Sequence, residues 1–302
     1  MKRKFAIRLI TFLVLFYSCL VVNAQKSDLQ RWDLKGKIKS IKDIAYEAFD
    51  KFGEVQKGEI KSKSDKFFTD KGNRSETNEY KSDGSIEWKQ IYKYDDKGNL
   101  IEYYRYKSDG GLIIKDIYKY DDKGNKIEMN EYKSDGSLNE TNIYKYDENG
   151  NEIELKIYGQ LGNLQENYSY MYDDHGNKIE ENRYIGNYHK KNTYKYDDKG
   201  YLIEVNDGSM DSKDTYKYDE KGNKIEHYMY GSDGSFGYKE TYKYDDKRNQ
   251  TEENSDIPNS KLSEIITKKY EYDSYGNWIK VVEYRGESNM PATITEREIE
   301  YY

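Results

Sequence analysis

Few residues in this chain have the types and spacing that catalysis or metal binding requires. The only histidines are His175, His189 and His227, which share no metal-ligand spacing and do not pair with a placed nucleophile. His175 stands where a repeated turn usually carries lysine, as expected of a surface position. The single cysteine, Cys19, falls in an N-terminal apolar run. The sequence therefore predicts a protein that is not an enzyme and that uses no metal or cofactor.

Carboxylates recur in two regular sets, as aspartate pairs in the turns and as a glutamate after an isoleucine. Calcium needs six or more oxygens converging on one point, whereas here a lysine usually follows the aspartates and turn chemistry explains them. We interpret the pairs as solvated turns, with weak calcium sites as the alternative. We interpret the glutamates as a charge ladder beside lysines rather than as catalytic pairs. The aspartates are Asp95/Asp96, Asp121/Asp122, Asp173/Asp174, Asp197/Asp198 and Asp245/Asp246, and the glutamates are Glu102, Glu128, Glu154, Glu180, Glu204 and Glu226.

The strongest chemical signal is aromatic. Tyrosine accounts for 35 of the 302 residues, against 8 phenylalanines and 3 tryptophans. Eight Tyr-x-Tyr pairs start 26, 26, 26, 24, 22, 26 and 28 residues apart, and most precede Asp-x-x-Gly-Asn. A period of this size marks a repeat architecture. The pairs are Tyr92/Tyr94, Tyr118/Tyr120, Tyr144/Tyr146, Tyr170/Tyr172, Tyr194/Tyr196, Tyr216/Tyr218, Tyr242/Tyr244 and Tyr270/Tyr272.

Rows of exposed tyrosine rings can stack on sugar rings or dock a protein, and the alternative is that they only stabilise a thin sheet. The expected partner is an unidentified protein or glycan at the cell surface. A net charge of −7 with interspersed lysines offers no electrostatic footprint for nucleic acid or an anionic membrane. The candidate partner-binding surface consists of Tyr118, Tyr120, Tyr144, Tyr146, Tyr170 and Tyr172.

Each repeat predicts a β-hairpin. In the repeat of residues 126–151, strands over Lys126–Tyr132 and Leu138–Tyr146 alternate with turns whose glycine is third in a three-residue loop. A type I turn followed by a left-handed residue closes such a hairpin, and tyrosine, isoleucine and threonine favour strands.

The turns also predict a register. Tyr118 should lie opposite Glu128, and Ile127 opposite Ile143. One face of the sheet would then carry isoleucines and Met129, and the other face would carry the tyrosine pairs.

Every interval between the tyrosine pairs is even. Because side chains alternate along a strand with period two, even changes preserve both faces and a one-residue change inverts them. The count gives about 20 short antiparallel strands, and an open sheet beyond about 10 strands curls or splits. We expect an all-β fold, a repetitive antiparallel β-hairpin meander in a coiled, extended or spiral sheet, with the isoleucine face on the inner side.

Residues 1–24 predict a secretory signal peptide, with a basic start, an apolar run from Leu9 to Val22 and a cleavage site ending at Ala24. Cleavage there predicts a secreted, periplasmic or cell-envelope protein without a membrane span, and a lipoprotein through Cys19 is the alternative. Residues 25–65 break the period and are expected to form N-terminal cap strands. Residues 66–302 are expected to form a single domain of tandem hairpin repeats.

The motif Tyr-x-Tyr-Asp-x-x-Gly-Asn, followed by Ile-Glu and then Tyr-x-Ser-Asp-Gly, resembles the RHS/YD-repeat family, and most of all the small secreted bacterial proteins of that type. The resemblance covers roughly Phe67 to Tyr284, and residues 32–41 are similar to the N-terminal segment of those proteins. It implies hairpins wound into a β-shell. The chain is short for a closed capsule and shows no toxin domain after Tyr302, so a role in toxin delivery is not expected.

A second, weaker resemblance is to choline- and glucan-binding repeats. The tryptophans on which those repeats rely have no counterpart here, since Trp32, Trp88 and Trp278 are isolated in the sequence. We therefore expect a non-enzymatic extracytoplasmic repeat protein that acts as a binding or interaction scaffold through its sheet surface, and the alternative is a carbohydrate-binding repeat module that uses the tyrosine rows.

Overall fold

The computed structural model describes residues 26–209, 211–257 and 264–302, which form one short helix and 20 strands. The expected signal peptide and Cys19 lie outside the described residues. No helix in the described part of the chain is long and apolar enough to cross a membrane. The elements are α1 (Asp28–Arg31), β1 (Ile38–Lys51), β2 (Glu54–Phe68), β3 (Arg74–Tyr80), β4 (Ile86–Tyr94), β5 (Leu100–Lys107), β6 (Leu112–Tyr120), β7 (Lys126–Lys133), β8 (Leu138–Tyr146), β9 (Glu152–Gly159), β10 (Leu164–Tyr172), β11 (Lys178–Ile185), β12 (Tyr188–Tyr196), β13 (Leu202–Asp207), β14 (Ser212–Tyr218), β15 (Lys224–Tyr230), β16 (Phe236–Tyr244), β17 (Gln250–Asp256), β18 (Glu264–Tyr272), β19 (Trp278–Arg285) and β20 (Met290–Tyr301).

The repeated Asp-x-x-Gly-Asn segments form the predicted hairpin turns. In the turn between β6 and β7, the amide of Asp121 donates to the carbonyl of Asn125 at 2.9 Å, and Gly124 has φ = +87°. The Asp121 carboxylate accepts hydrogen bonds from both the amide and the side chain of Asn125. The glycine supplies a left-handed backbone that most residues avoid, and the Asp–Asn pair closes the loop. The recurring motif is therefore explained by turn geometry.

The strands form one closed antiparallel sheet. Each strand pairs with the next along the chain, and β1 also pairs with β20, with Ile41 opposite Ile299. The expected all-β hairpin meander is confirmed, and its coiling is complete, since the first and last strands meet. With strands about 4.8 Å apart, a ring of this size is roughly 30 Å across before strand tilt is considered. The expected cap strands β1 and β2 lie within this ring, between β20 and β3.

The predicted register is wrong by one residue because most strand pairs, including β6–β7 and β7–β8, contain a bulge. Tyr118 lies opposite Met129 rather than Glu128, since Ile127 is an extra residue between the pairs Tyr120–Lys126 and Lys119–Glu128. Bulges of this kind bend a strand and increase its twist, which closing a sheet requires.

The two faces of the sheet are chemically distinct. We call the face that carries the tyrosine pairs the tyrosine face, and the opposite face, with ion pairs such as Lys119–Glu128 (2.8 Å) and Lys145–Glu154 (2.7 Å), the ladder face. Because of the shifted register, Ile143 pairs with Glu128 and lies on the ladder face, while Met129 lies on the tyrosine face.

The tyrosine face lines the inside of the ring, so the expectation of an inner isoleucine face is wrong. Burial raises the pKa of Tyr92 and Tyr118 on the tyrosine face. On the ladder face, the ion pair with Lys119 is the main cause that lowers the pKa of Glu128. Ile127 is 37% exposed. The aromatic rings, rather than the aliphatic side chains, therefore provide the enclosed surface of this sheet.

A segment of residues 27–37, which we call the cap segment, lies at one end of the tyrosine face. The amide of Leu29 donates to the carbonyl of Gly72, and both backbone groups of Lys35 bond to the side chain of Asn277 at 2.8 and 2.9 Å. Leu29 packs in the one buried apolar cluster of the described chain, together with Ile38, Ile41 and Phe68. The cap segment thus joins the β2–β3 turn to the β18–β19 turn across the seam between β1 and β20.

Candidate binding face and cap cavity

In seven of the eight pairs the second tyrosine donates a hydrogen bond to a backbone carbonyl of a neighbouring strand, and in the eighth pair Tyr270 makes this bond while Tyr272 donates to Asp245. The hydroxyl of Tyr120 donates to the carbonyl of Leu100 at 2.8 Å, and Tyr146 donates to Lys126 at the same distance. The same bond is made by Tyr94, Tyr172, Tyr196, Tyr218 and Tyr244. These hydroxyls satisfy backbone carbonyls at the start of the neighbouring strand, so this half of the candidate surface has a structural role.

The first tyrosine of many pairs lies beside a cation. The Lys126 ammonium is 4.2 Å from the ring centre of Tyr144 and 6.0 Å from that of Tyr118, and the Lys178 ammonium is 5.2 Å from that of Tyr170. Lys224 and Arg74 occupy the same position in other repeats. The six predicted surface tyrosines therefore share one face, as the sequence indicated, but cations cover part of the rings of Tyr118, Tyr144 and Tyr170.

Carboxylates form a row across the same face, farther along the strands. Asp116 lies opposite Glu131, which lies opposite Glu140. Asp116 is 6% exposed, and burial, reinforced by the two glutamates, raises its pKa to about 6 even though Tyr118 donates a hydrogen bond to it. The described residues include no group of three or more histidine, cysteine or acidic side chains arranged to hold a metal ion.

Replacing Asp116 by asparagine should stabilise the protein at pH 7 by about 2 kcal/mol, because the folded chain then no longer buries a charge. The folded pKa lies above the unfolded value near 3.9, so the native protein loses stability as the pH rises from about 4 to 6. Urea unfolding of both proteins at pH 4 and pH 7 measures this difference. Equal stability changes at the two pH values would contradict the assignment, and Asp122→Asn, at an exposed turn position, is the control for a general charge effect.

His227 has partners that the sequence did not reveal. Its Nε2 lies 2.7 Å from an Asp214 oxygen and its Nδ1 lies 3.0 Å from a Glu240 oxygen, while the ring stacks on Tyr216. Asp214 and Glu240 each lie 13 residues from His227 in the sequence, which is half a repeat. Residues separated by half a repeat lie side by side on neighbouring strands. His175 is exposed in a turn, and exposed His189 contacts only Asn182 and Tyr184 by hydrogen bond or stacking among the described residues.

A cavity of about 930 Å³ lies under the cap segment, and we call it the cap cavity. Its aromatic residues are Trp32, Tyr275 and Trp278. Two of the three tryptophans, isolated in the sequence, therefore line one cavity. Trp32 and Tyr275 are 41% and 54% exposed, so part of each ring is open to a ligand.

The cap cavity is basic. Five cationic side chains and two carboxylates line it, and among the cations Arg297 and Lys66 bind the buried carboxylate of Asp43. The Arg297 guanidinium also lies 3.5 Å from the ring centre of Trp278. The remaining cations are Lys35, Lys247 and Arg248, and the lining carboxylates are Asp33 and Asp246.

Arg248 occupies an unusual backbone conformation. It has φ = +69°, whereas the corresponding position in eight other turns is glycine with φ between 80° and 89°. A non-glycine residue costs about 1–2 kcal/mol in this region. Its Nε donates to the Asn223 side chain of the neighbouring turn at 2.8 Å, which points the guanidinium at the cap cavity. The missing glycine was visible in the sequence and was the signal that could have identified this residue.

These features define a class, a closed single-sheet β-hairpin repeat protein with a basic, aromatic cavity at its capped end. The chain matches no protein-family model and no curated protein. The RHS/YD resemblance therefore rests on the repeat motif.

Among solved structures, the chain is similar to a protein of the Photorhabdus luminescens Tc holotoxin pore, with a TM-score of 0.43 and 14% identity over 84% of this chain. It is also similar to TcdB2-TccC3-TEV, with a TM-score of 0.32 and 11% identity over 83% of the chain. It spans only 16% of each of those chains. A porin-like protein from Bacteroides uniformis has a TM-score of 0.35 and 10% identity, covering 87% of this chain and 96% of that one. At TM-scores below 0.5, none of these likenesses bears on what the chain does.

Proposed function

We propose that the protein is a non-enzymatic extracytoplasmic repeat protein that acts as a binding scaffold through the tyrosine face. One observation supports this most directly. The extensive contacts of each described strand are with its two neighbours in the ring, so no second sheet of the described chain packs against the tyrosine face, and only the cap segment covers one end of it. A concave aromatic surface inside a β-ring, with no second sheet against it, is a typical place for a ligand to bind.

In this proposal, the first tyrosine of each pair contacts the partner. The hydroxyls of Tyr120, Tyr146 and Tyr172 donate hydrogen bonds to backbone carbonyls. This structural role explains why these tyrosines recur, and it requires no binding partner. Tyr118, Tyr144 and Tyr170 lie beside Lys126 or Lys178 and present ring and ammonium together. Such a surface suits a protein segment or glycan that carries both apolar and acidic groups.

Serine at Tyr118, Tyr144 and Tyr170 together should reduce retention of the protein on its partner at least tenfold, because the aromatic contact area disappears while the cross-strand hydrogen bonds remain. The partner is first identified with a glycan array and by affinity capture from cell-surface extracts, with the wild-type protein as bait. Biolayer interferometry with the identified partner then measures how much binding the triple variant loses.

The matched control is serine at Tyr104, Tyr132 and Tyr158, which lie on the ladder face. Equal losses from the two triple variants would contradict a binding role for the tyrosine face. Far-UV circular dichroism separates lost binding from unfolding, and unfolding of the first triple variant alone would show that these rings serve stability.

The carbohydrate-binding alternative is favoured by a different observation, the exposed rings of Trp32 and Tyr275 at the cap cavity. Retention of neutral and acidic glycans by the first triple variant would place glycan binding outside the tyrosine rows.

A further inference from the structure

Departures from the repeat converge on one place. Arg248 replaces the turn glycine, Tyr275 stands where most turns carry lysine, and Trp278 follows a turn asparagine where other repeats have lysine, arginine, leucine, glutamate or glutamine. All three line the cap cavity, together with Trp32. We propose that the cap cavity binds an acidic saccharide, a sugar that carries a carboxylate.

The backbone of Arg248 is strained, with φ = +69°. Glycine would serve this turn without strain, as it does in the equivalent turns of the ring. Arginine therefore occupies this turn at a local cost in backbone energy, and its side chain is directed to the cavity by the hydrogen bond to Asn223. Strain that the turn itself does not require is commonly found at binding sites.

The cations that line the cap cavity differ in whether they have a carboxylate partner. Arg297 and Lys66 share the carboxylate of Asp43 as their ion-pair partner. In the part of the chain that the structure describes, no carboxylate lies within salt-bridge distance of Lys247 or Arg248, although the Lys247 ammonium lies 3.7 Å from the ring centre of Tyr272. In a protein of net charge −7, two such cations beside one cavity form a site for an anion. The guanidinium can hold a carboxylate with two parallel hydrogen bonds.

The aromatic rings and the remaining carboxylates indicate a sugar rather than a bare anion. Trp32 and Tyr275 expose ring surface on which the apolar face of a pyranose can stack. Asp33 and Asp246 can accept hydrogen bonds from sugar hydroxyls. A cavity of about 930 Å³ has room for two or three sugar units.

This inference concerns residues outside the tyrosine triplet of the proposed function, so either can fail without the other. The test uses isothermal titration calorimetry of the purified protein with trigalacturonic acid, and with galactotriose as the neutral counterpart. We expect the acidic trisaccharide to bind at least tenfold more tightly than the neutral one, with an affinity that weakens as salt is added.

Arg248→Gly restores the residue that the turn favours and should weaken binding of trigalacturonic acid at least tenfold without lowering the melting temperature by more than a few degrees. Lys247→Ala should weaken it about tenfold, whereas Lys123→Ala, at the same position of a turn remote from the cavity, should leave it unchanged. The proposal is overturned if trigalacturonic acid does not bind, if galactotriose binds equally well, or if Lys123→Ala is as damaging as Lys247→Ala. Tight binding that survives Arg248→Gly also overturns it.

Discussion

Alanine at Asp43 is expected to lower the free energy of unfolding by about 3 kcal/mol, because it leaves two largely buried cations without the carboxylate that they share. The Asp43 carboxylate accepts two hydrogen bonds from Arg297, at 2.7 and 3.1 Å, and one from Lys66 at 2.8 Å. The side chains of Asp43 and Arg297 are only 16% and 13% exposed. Since Asp43 lies on β1 and Arg297 on β20, the loss falls on the seam that closes the ring. Urea unfolding at pH 7 measures it.

The control is Glu298→Ala on the same strand pair. Glu298 bonds Lys42 at 2.9 Å on the ladder face, where both side chains are exposed, and its loss should cost less than about 1 kcal/mol. Similar losses from the two variants would show that the seam does not depend on the buried charge cluster.

Asp43→Ala should also change how the stability of the protein depends on acid pH. Burial alone would raise the pKa of Asp43, but Arg297 and Lys66 outweigh it and hold that pKa below its ordinary value of 3.8. A carboxylate of this kind contributes its stability above the unfolded pKa, near 3.9, and loses it as the pH falls through the folded pKa. The native protein should therefore lose stability below about pH 4 more steeply than Asp43→Ala does.

Insertion of one alanine between Ile143 and Tyr144 should cost more than about 3 kcal/mol or prevent folding. The insertion inverts the end of β8, so that Tyr144 and Tyr146 turn to the ladder face and Lys145 turns to the inside. The hydrogen bond from Tyr146 to the carbonyl of Lys126 and the Lys145–Glu154 ion pair are then lost together. Thermal melts followed by circular dichroism measure the effect.

Two residues inserted between Ser134 and Asp135 provide the comparison, because they lengthen a hairpin loop and leave both faces of each strand in place. Loop lengthening of this size costs about 1 kcal/mol or less. If the two insertions destabilise the protein equally, the alternation of faces does not govern this sheet.

The hairpins were predictable because their signals are local. The strand Leu138–Tyr146 and the glycine turns follow from β propensity and from the left-handed glycine, and both appear where expected. The register was not predictable, since nothing in the Ile127 side chain indicates that its backbone forms a bulge. Closure depends on the twist accumulated over 20 strands, and no single repeat encodes it.

The cap cavity was missed for a different reason. Trp32 and Trp278 are 246 positions apart in the sequence, and only the closed ring brings them to one cavity. Arg248 could have been identified from the sequence, because the neighbouring repeats have glycine at the same turn position. The candidate tyrosine surface was placed correctly on one face, but the hydroxyl bonds that give half of it a structural role depend on the bulged register.

The seam between β1 and β20 should form late in folding. The hairpins form from neighbouring residues, but the seam joins residues as far apart as Asp43 and Arg297, a separation of 254. Closing a flexible loop of that length costs about 5 kcal/mol of chain entropy, so the seam forms rapidly only after the meander has coiled. Until then β1 and β20 both expose unpaired backbone, through which two unclosed copies can add to each other edge to edge. The interval between coiling and closure is therefore when this chain is most exposed to aggregation.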